Sequence, residues 1–233
     1  AAVLIDNSAP VVTIGAPSSS LVNPTATVTF PITITGADTI NLTNADVSLT
    51  YGGTTSGGTI NVLNGTTANP TVEVSNVAAT GAGQYAISIA AGIATDLASN
   101  ISAPAGPSAN VFVDGIAPTV TIGAPTGGPI SSTFGEIAFP IQVSGANVFH
   151  LTLLDVNFNY GGTTSGAQVS ILNGTTAFPT VLVSHVSGDG DISIGLAADF
   201  AADTAGNTTP FTGPSASVTV DNTAPSLSAL AVA

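Results

Sequence analysis

The sequence predicts an all-β chain built as two copies of one β-sandwich. Three observations carry that reading. The 233 residues repeat themselves at a spacing of 108 and then 107 residues, counted from Asp6 to Asp114 to Asp221. Val, Ile and Thr fill the apolar runs, and these residues suit a pleated, half-buried surface. Gly (26 residues) and Pro (15 residues) punctuate those runs at short intervals, and no stretch shows helical periodicity.

The repeat is dense. VTIGAP at 12–17 returns at 120–125, YGGTTSG at 51–57 at 160–166, NGTTA at 64–68 at 173–177, and GPSA at 106–109 at 213–216. The joints repeat as well: DLASN (96–100) and DGIAP (114–118) answer to DTAGN (203–207) and DNTAP (221–225), and DNSAP (6–10) is a further copy near the start. The expected organisation is therefore residues 1–5 as the last strand of a preceding repeat or a donor strand, 6–113 as the first repeat, 114–220 as the second, and 221–233 as the start of a third.

Within the first repeat, strands are expected near 9–15, 26–35, 45–51, 58–63, 71–77, 84–90 and 108–113. Alternation is plain in VEVSNV (72–77) and YAISIA (85–90). The stretches YGG, SGG, NGTT and TGAG read as the turns between them. About seven short strands in a repeat of this length indicate a sandwich of immunoglobulin type, and tandem copies should join head to tail. The Cys pair and core Trp of antibody domains are absent. Pro31 and Pro140 fall inside the second strand of each repeat, so each is expected at an edge or bulge, where a missing N–H costs little.

Charge excludes several function classes. There are no Lys or Arg residues against 13 carboxylates, and charged residues are only 6% of the chain. Nothing can neutralise phosphates, so nucleic acid is excluded as a partner. No apolar run approaches the roughly 20 residues of a membrane helix, so no membrane insertion is expected. A surface dominated by hydroxyl, amide and methyl groups packs against copies of itself with little desolvation of charge. With no Cys, no Lys and no Gly-rich phosphate loop, nucleophilic and nucleotide chemistry has no equipment, and a carboxylate pair across a cleft is not implied. The chain is not expected to be an enzyme.

The combination of DNTAP joints, a D-x-A-G-N loop and a G-P-S-A lead into the last strand resembles the immunoglobulin-like repeats of large secreted bacterial adhesins and surface fibres. The resemblance covers nearly the whole chain, with the first repeat departing from it as DLASN and DGIAP. It implies an extracellular or cell-surface stalk. It also implies that oxygen-bearing joint residues act as Ca²⁺ ligands that stiffen the rod. The candidate metal residues are Asp96, Asn100 and Asp114 at one joint, and Asp203, Asn207 and Asp221 at the other. Ca²⁺ takes six to eight oxygens from such groups. The competing reading is turn chemistry, because Asp and Asn bond their own backbone in loops.

Other residues have plainer readings. The second repeat also carries Asp189, Asp191 and Asp199; GDGD (188–191) is expected to be a hairpin turn, with a second cation site as the lesser alternative. His150 and His185 stand where the first repeat has Asn41 and Asn76, which makes them structural. Asn41, Asn64, Asn100, Asn173 and Asn207 begin N-x-S/T triplets, which are frequent in Thr-rich chains. Tyr51 and Tyr160 lead the YGGTTSG loops and should pack on the sandwich edge. The function these features support is a structural repeat segment of an extracellular rod, surface filament or adhesin stalk. Its partners would be further copies of itself or of the same repeat array, with glycan or receptor contacts at a distant tip. The alternative is a cell-adhesion module that recognises a glycan or receptor through its own loops; it should carry a loop insertion in one repeat, whereas these repeats are nearly equal in length.

Overall fold

In the computed structural model, which describes residues 5–226, the Val- and Ile-rich runs form antiparallel ladders. The chain divides between Ile116 and Ala117 into two units, each with its own apolar core. The expectations placed on residues 1–4 and 227–233 lie outside the described residues, and 5–10 and 221–226 carry no strand.

The first unit contains β1 (Val11–Ile14), β2 (Leu21–Val22), β3 (Val28–Thr35), β4 (Thr39–Ile40), β5 (Val47–Leu63), β6 (Thr71–Ile89), β7 (Ala94–Thr95) and β8 (Val111–Asp114). The second contains β9 (Thr119–Ile122), β10 (Glu136–Ser144), β11 (Val148–Phe149), β12 (Val156–Gly162), β13 (Gln168–Leu172), β14 (Thr180–Ser184), β15 (Gly190–Leu196), β16 (Ala201–Ala202) and β17 (Val218–Val220).

The second unit displays the topology most openly. One sheet has the order β13-β14-β10-β9 and the other β12-β15-β17, and the two-residue strands β11 and β16 pair beside them. Seven ladder strands split four and three in this order define an immunoglobulin-like sandwich of the constant type. The core forms where inward residues of the two sheets meet. Phe139, Ile141, Val181 and Val183 come from one sheet, and Ile192, Ile194 and Leu196 from the other; all are buried. In the first unit Phe30, Ile32, Val72 and Val74 answer Tyr85, Ile87, Ile89 and Val111 in the same way.

The first unit corrects the expected strand lengths. YGG, SGG and TGAG are not turns there. β5 and β6 run 17 and 19 residues and stay paired from Val47↔Ile89 to Leu63↔Thr71, with one register shift between Gly53 and Thr55. A sandwich strand that leaves one sheet for the other needs such a bulge, and Gly53 supplies it with φ 70. Thr55 sits at the crossing, 7% exposed, with its hydroxyl 2.8 Å from Gly52 O and 2.7 Å from Gln84 O. Thr164 does the same in the second unit, at 2.8 Å from Gly161 O and 2.9 Å from Asp191 O. The YGGTT motif is therefore a device for changing sheets.

Pro31 is also placed differently from the expected edge. Its strand is flanked on both sides: residues 28–31 pair with β6 and residues 32–35 with β1. The ring falls where β1 has ended at Ile14, and Gly15 N bonds Pro31 O at 2.8 Å. A Cβ on Gly15 would meet the Pro31 ring at 2.8 Å, so the Gly–Pro pair fits as a unit. Gly123 and Pro140 repeat the arrangement, with Gly123 N 2.7 Å from Pro140 O.

Candidate functional site

Each Asp-x-x-x-Asn loop follows a two-residue strand, β7 or β16, and closes on itself. In the first unit Asn100 N donates to Asp96 Oδ1 at 2.8 Å and Asn100 Nδ2 donates to Asp96 Oδ2 at 2.9 Å. Ser99 N reaches Asp96 O at 3.1 Å, which takes Ser99 into positive φ (69°). The second unit matches it bond for bond: Asn207 N to Asp203 Oδ1 at 2.9 Å, Asn207 Nδ2 to Asp203 Oδ2 at 2.8 Å, and Gly206 N to Asp203 O at 3.3 Å. Both carboxylate oxygens of each aspartate thus accept from their own loop. The side-chain amide of Asn100 does most to hold the Asp96 carboxyl below the usual carboxylate range; desolvation opposes it, and the backbone N–H groups of Asn100, Ala98 and Ser99 add to the lowering.

The expected grouping of Asp96 and Asn100 with Asp114 is corrected by the ladder. Asp114 pairs opposite Ala82, near one end of the sheet, while the loop 96–100 lies beyond Ile89 at the other end. Seven residues of strand, about 23 Å at roughly 3.3 Å per residue, separate those two positions. Asp221 is likewise parted from Asp203 and Asn207: β17 pairs with the Gly190–Ile192 end of β15, and the loop follows β16, past Leu196. What Asn100 does reach is the opening joint. Its Nδ2 lies 3.0 Å from Asp6 O, and Asp6, Gly36, Ala37, Asp38, Asp96 and Leu97 line a shallow hollow of about 240 Å³. Among the described residues no three His, Asp or Glu side chains converge to hold a metal ion.

The three joint aspartates share one local task. Asp6 Oδ1 accepts from Ser8 N, Asp114 Oδ1 from Ile116 N and Asp221 Oδ1 from Thr223 N, each at 2.9 Å. This is the Asx turn that Asp favours, and it bends the chain into the joint before the proline.

Sequence reasoning missed the second support of the last joint. Asn222 N donates to Asp189 Oδ1 at 2.5 Å, and Thr223 Oγ1 donates to Asp189 Oδ2 at 3.0 Å. Asn222 Oδ1 accepts from Ser132 N at 2.7 Å, and its Nδ2 donates to Val186 O and Gly188 O. GDGD is accordingly not a hairpin turn. Gly190 and Asp191 lie in β15 opposite Gly162 and Gly161, and Asp189 reaches the joint. The first repeat has Ala82 and Gly115 at these places, so no repeated motif marked the pair; the departure from repetition was itself the signal.

The remaining repeated motifs also serve the frame. Ser108 and Ser215 of GPSA accept from Ile87 N and Ile194 N, each at 3.0 Å. Thr67 and Thr176 of NGTTA return to Asn64 O and Asn173 O, each at 2.9 Å. Tyr51 hydroxyl bonds Gly57 O, and Tyr160 hydroxyl accepts from Ala167 N at 3.2 Å, so these rings close their own loops. His185, just after β14, and Asn76, within β6, share a positive φ of 55°, and His150 N bonds Phe200 O as Asn41 N bonds Ile93 O.

The fold and these joints define an immunoglobulin-like sandwich protein with repeated Asx-turn joints. No protein-family model matches the chain, and no curated protein matches it in sequence. Among solved structures it is similar to the Escherichia coli adhesin FdeC, with 12% identity and a TM-score of 0.39, covering 91% of this chain and 64% of that one. It is also similar to bovine butyrophilin, with 10% identity and a TM-score of 0.25, covering 91% of this chain and 99% of that one. The chain therefore spans less than two thirds of the adhesin structure. No helix among the described residues is long and apolar enough to cross a membrane.

Proposed function

We propose that the chain is a structural repeat segment of an extracellular rod, surface filament or adhesin stalk. One observation carries the reading: every motif that repeats between the two units has a task inside the frame. YGGTT moves a strand between sheets, NGTTA closes a turn, GPSA caps a buried strand, and the Asp/Asn loops fix themselves. A module selected for recognition would repeat surface chemistry. Here the surface is what changes between units, and the skeleton is what recurs. A frame of antiparallel ladders with short, Asx-bent joints suits reach and resistance to pulling. Electron microscopy of native source material, with an antibody raised to this chain, tests the proposal. Labelling along thin filaments or stalks supports it, and labelling of a dispersed soluble species overturns it.

A further inference from the structure

The outer face of the four-stranded sheet in the second unit differs from its counterpart: its central rows lose a carboxylate and an amide, while Glu136 and Gln168 in the next row stand where the first unit has Thr27 and Thr59. In the first unit one row across that face reads Asn61, Glu73 and Thr29, and Asn61 Nδ2 donates to the Glu73 carboxylate at 2.9 Å. The matching row in the second unit reads Ser170, Leu182 and Ala138. The row beside it, Leu172, Thr180 and Pro140, is also uncharged. At the end of the face Phe178 replaces Asn69 and is 65% exposed against Pro140 and Gln142.

The edge beside this face changes in the same direction. In the first unit Asn44 Oδ1 accepts from Val62 N at 2.8 Å and covers the outward N–H of the edge strand. Leu153 and Leu154, 53% and 92% exposed, stand where the first unit has Asn44 and Ala45, so no amide covers Ile171 N–H. Leu153, Leu151, Val169 and Ile171 instead line an open apolar groove of about 460 Å³. Six positions thus shift from polar or small to apolar, or lose an amide, across this face and its edge, in two repeats that share the YGGTT, NGTTA and GPSA contacts. Exposed apolar surface gathered in one patch marks a contact.

We propose that this face docks against a second copy of the chain. Charge selects the occupant. The chain carries 13 carboxylates and no Lys or Arg, so most of its surface repels a copy of itself. The two central rows of this face carry no charge, and Glu136 stands at the rim, one row beyond Leu182. A cationic partner would find no carboxylate at the centre. In those two rows the same face of another copy finds apolar side chains and no like charge, Glu136 lying outside them, and a two-fold contact uses one patch twice. The inference deepens the filament reading by assigning its lateral contact, yet it fails separately: a monomeric chain would remove the contact and leave the repeated frame a stalk.

Sedimentation or light scattering of the full chain, from micromolar to roughly 1 mM, tests it. The expected result is a rise in mass from 22.5 kDa to twice that value. Phe178→Asn with Leu182→Glu restores the residues of the first unit; it should weaken association at least tenfold and leave the melting curve of the second unit in place. Asn69→Phe with Glu73→Leu should give the first unit a like patch and drive assemblies beyond the dimer. A wild-type chain that stays monomeric throughout overturns the proposal. So does a Phe178→Asn, Leu182→Glu chain that is folded and associates as before.

Discussion

Replacing Tyr85 with Phe should stabilise the first unit. Tyr85 is 1% exposed, and its hydroxyl is a buried polar atom with no hydrogen-bond partner. A buried hydroxyl left unpaired costs about 1–3 kcal/mol relative to water. Phe keeps the ring and its edge-on contact with Phe30, where the centroids are 6.3 Å apart at 65°. The second unit already has an apolar residue at this place, Ile192, fully buried. Burial also pushes the phenol up to about 12 from 10.0. The folded form then holds its proton more tightly than the unfolded chain. The stabilising contribution is complete below pH 10 and is lost as pH rises from 10 to 12, at about 1.4 kcal/mol per pH unit. Calorimetry of the full chain should show the first unit melting higher in Tyr85→Phe at pH 7, by about 4–8 °C for each kcal/mol gained, with the second unit unmoved. The gap between variant and wild type should widen above pH 10. A variant less stable than wild type at pH 7, or a gap that does not change with alkali, would refute the reasoning.

Gly65→Ala and Gly174→Ala should each cost about 1–3 kcal/mol by overpacking, because a Cβ there would collide with Leu42 O or Leu151 O; urea unfolding measures it, and a neutral result would detach the NGTT turn from the frame. Asn100→Ala should raise hydrogen exchange across 96–100 and at Ser8, since one amide serves both Asp96 and Asp6; unchanged exchange would remove that clamp. Asp96 is depressed below 3.8, chiefly by the Asn100 amide, so its contribution is present above that pH and lost as pH falls through the lower folded value. Acid melting of the first unit should therefore be shallower in Asn100→Ala, and an identical acid profile would exclude this cause. Melting curves in Ca²⁺ and in chelator should coincide if the Asp/Asn loops are self-sufficient turns; a Ca²⁺-dependent rise abolished by Asp96→Ala or Asp203→Ala would assign the cation to these loops.

The sandwich was legible because the apolar residues of its ladder strands recur at every second position. VEVSNV and YAISIA put Val72, Val74, Tyr85, Ile87 and Ile89 inward, and period-two patterns have one register that buries them. The Gly-rich stretches were misread for a physical reason. Gly53 with φ 70 is as proper to a bulge in a continuing strand as to a hairpin turn, and only the partner strand decides. Pro31 was misplaced similarly: its missing N–H fits a gap left by β1, a feature of another strand. At the joints the Asp and Asn residues were found, but their grouping was not. Asp96 and Asp114 are 18 residues apart in sequence, and nothing local says that the chain between them travels the length of the sheet. Asp189 and Asn222 escaped because their counterparts, Ala82 and Gly115, made the positions look dispensable.

The central claim is that two separately cored sandwiches repeat to resist extension, and pulling one chain from its ends tests it most directly. Joints spaced by 108 and 107 residues give each unit a stretched length of about 350–390 Å at roughly 3.3–3.6 Å per residue, and the gain on unfolding is this length less the folded unit's own span. The expected trace shows two force peaks separated by that gain, one for each unit. A single peak releasing both units together, or extension without any peak, would contradict the claim.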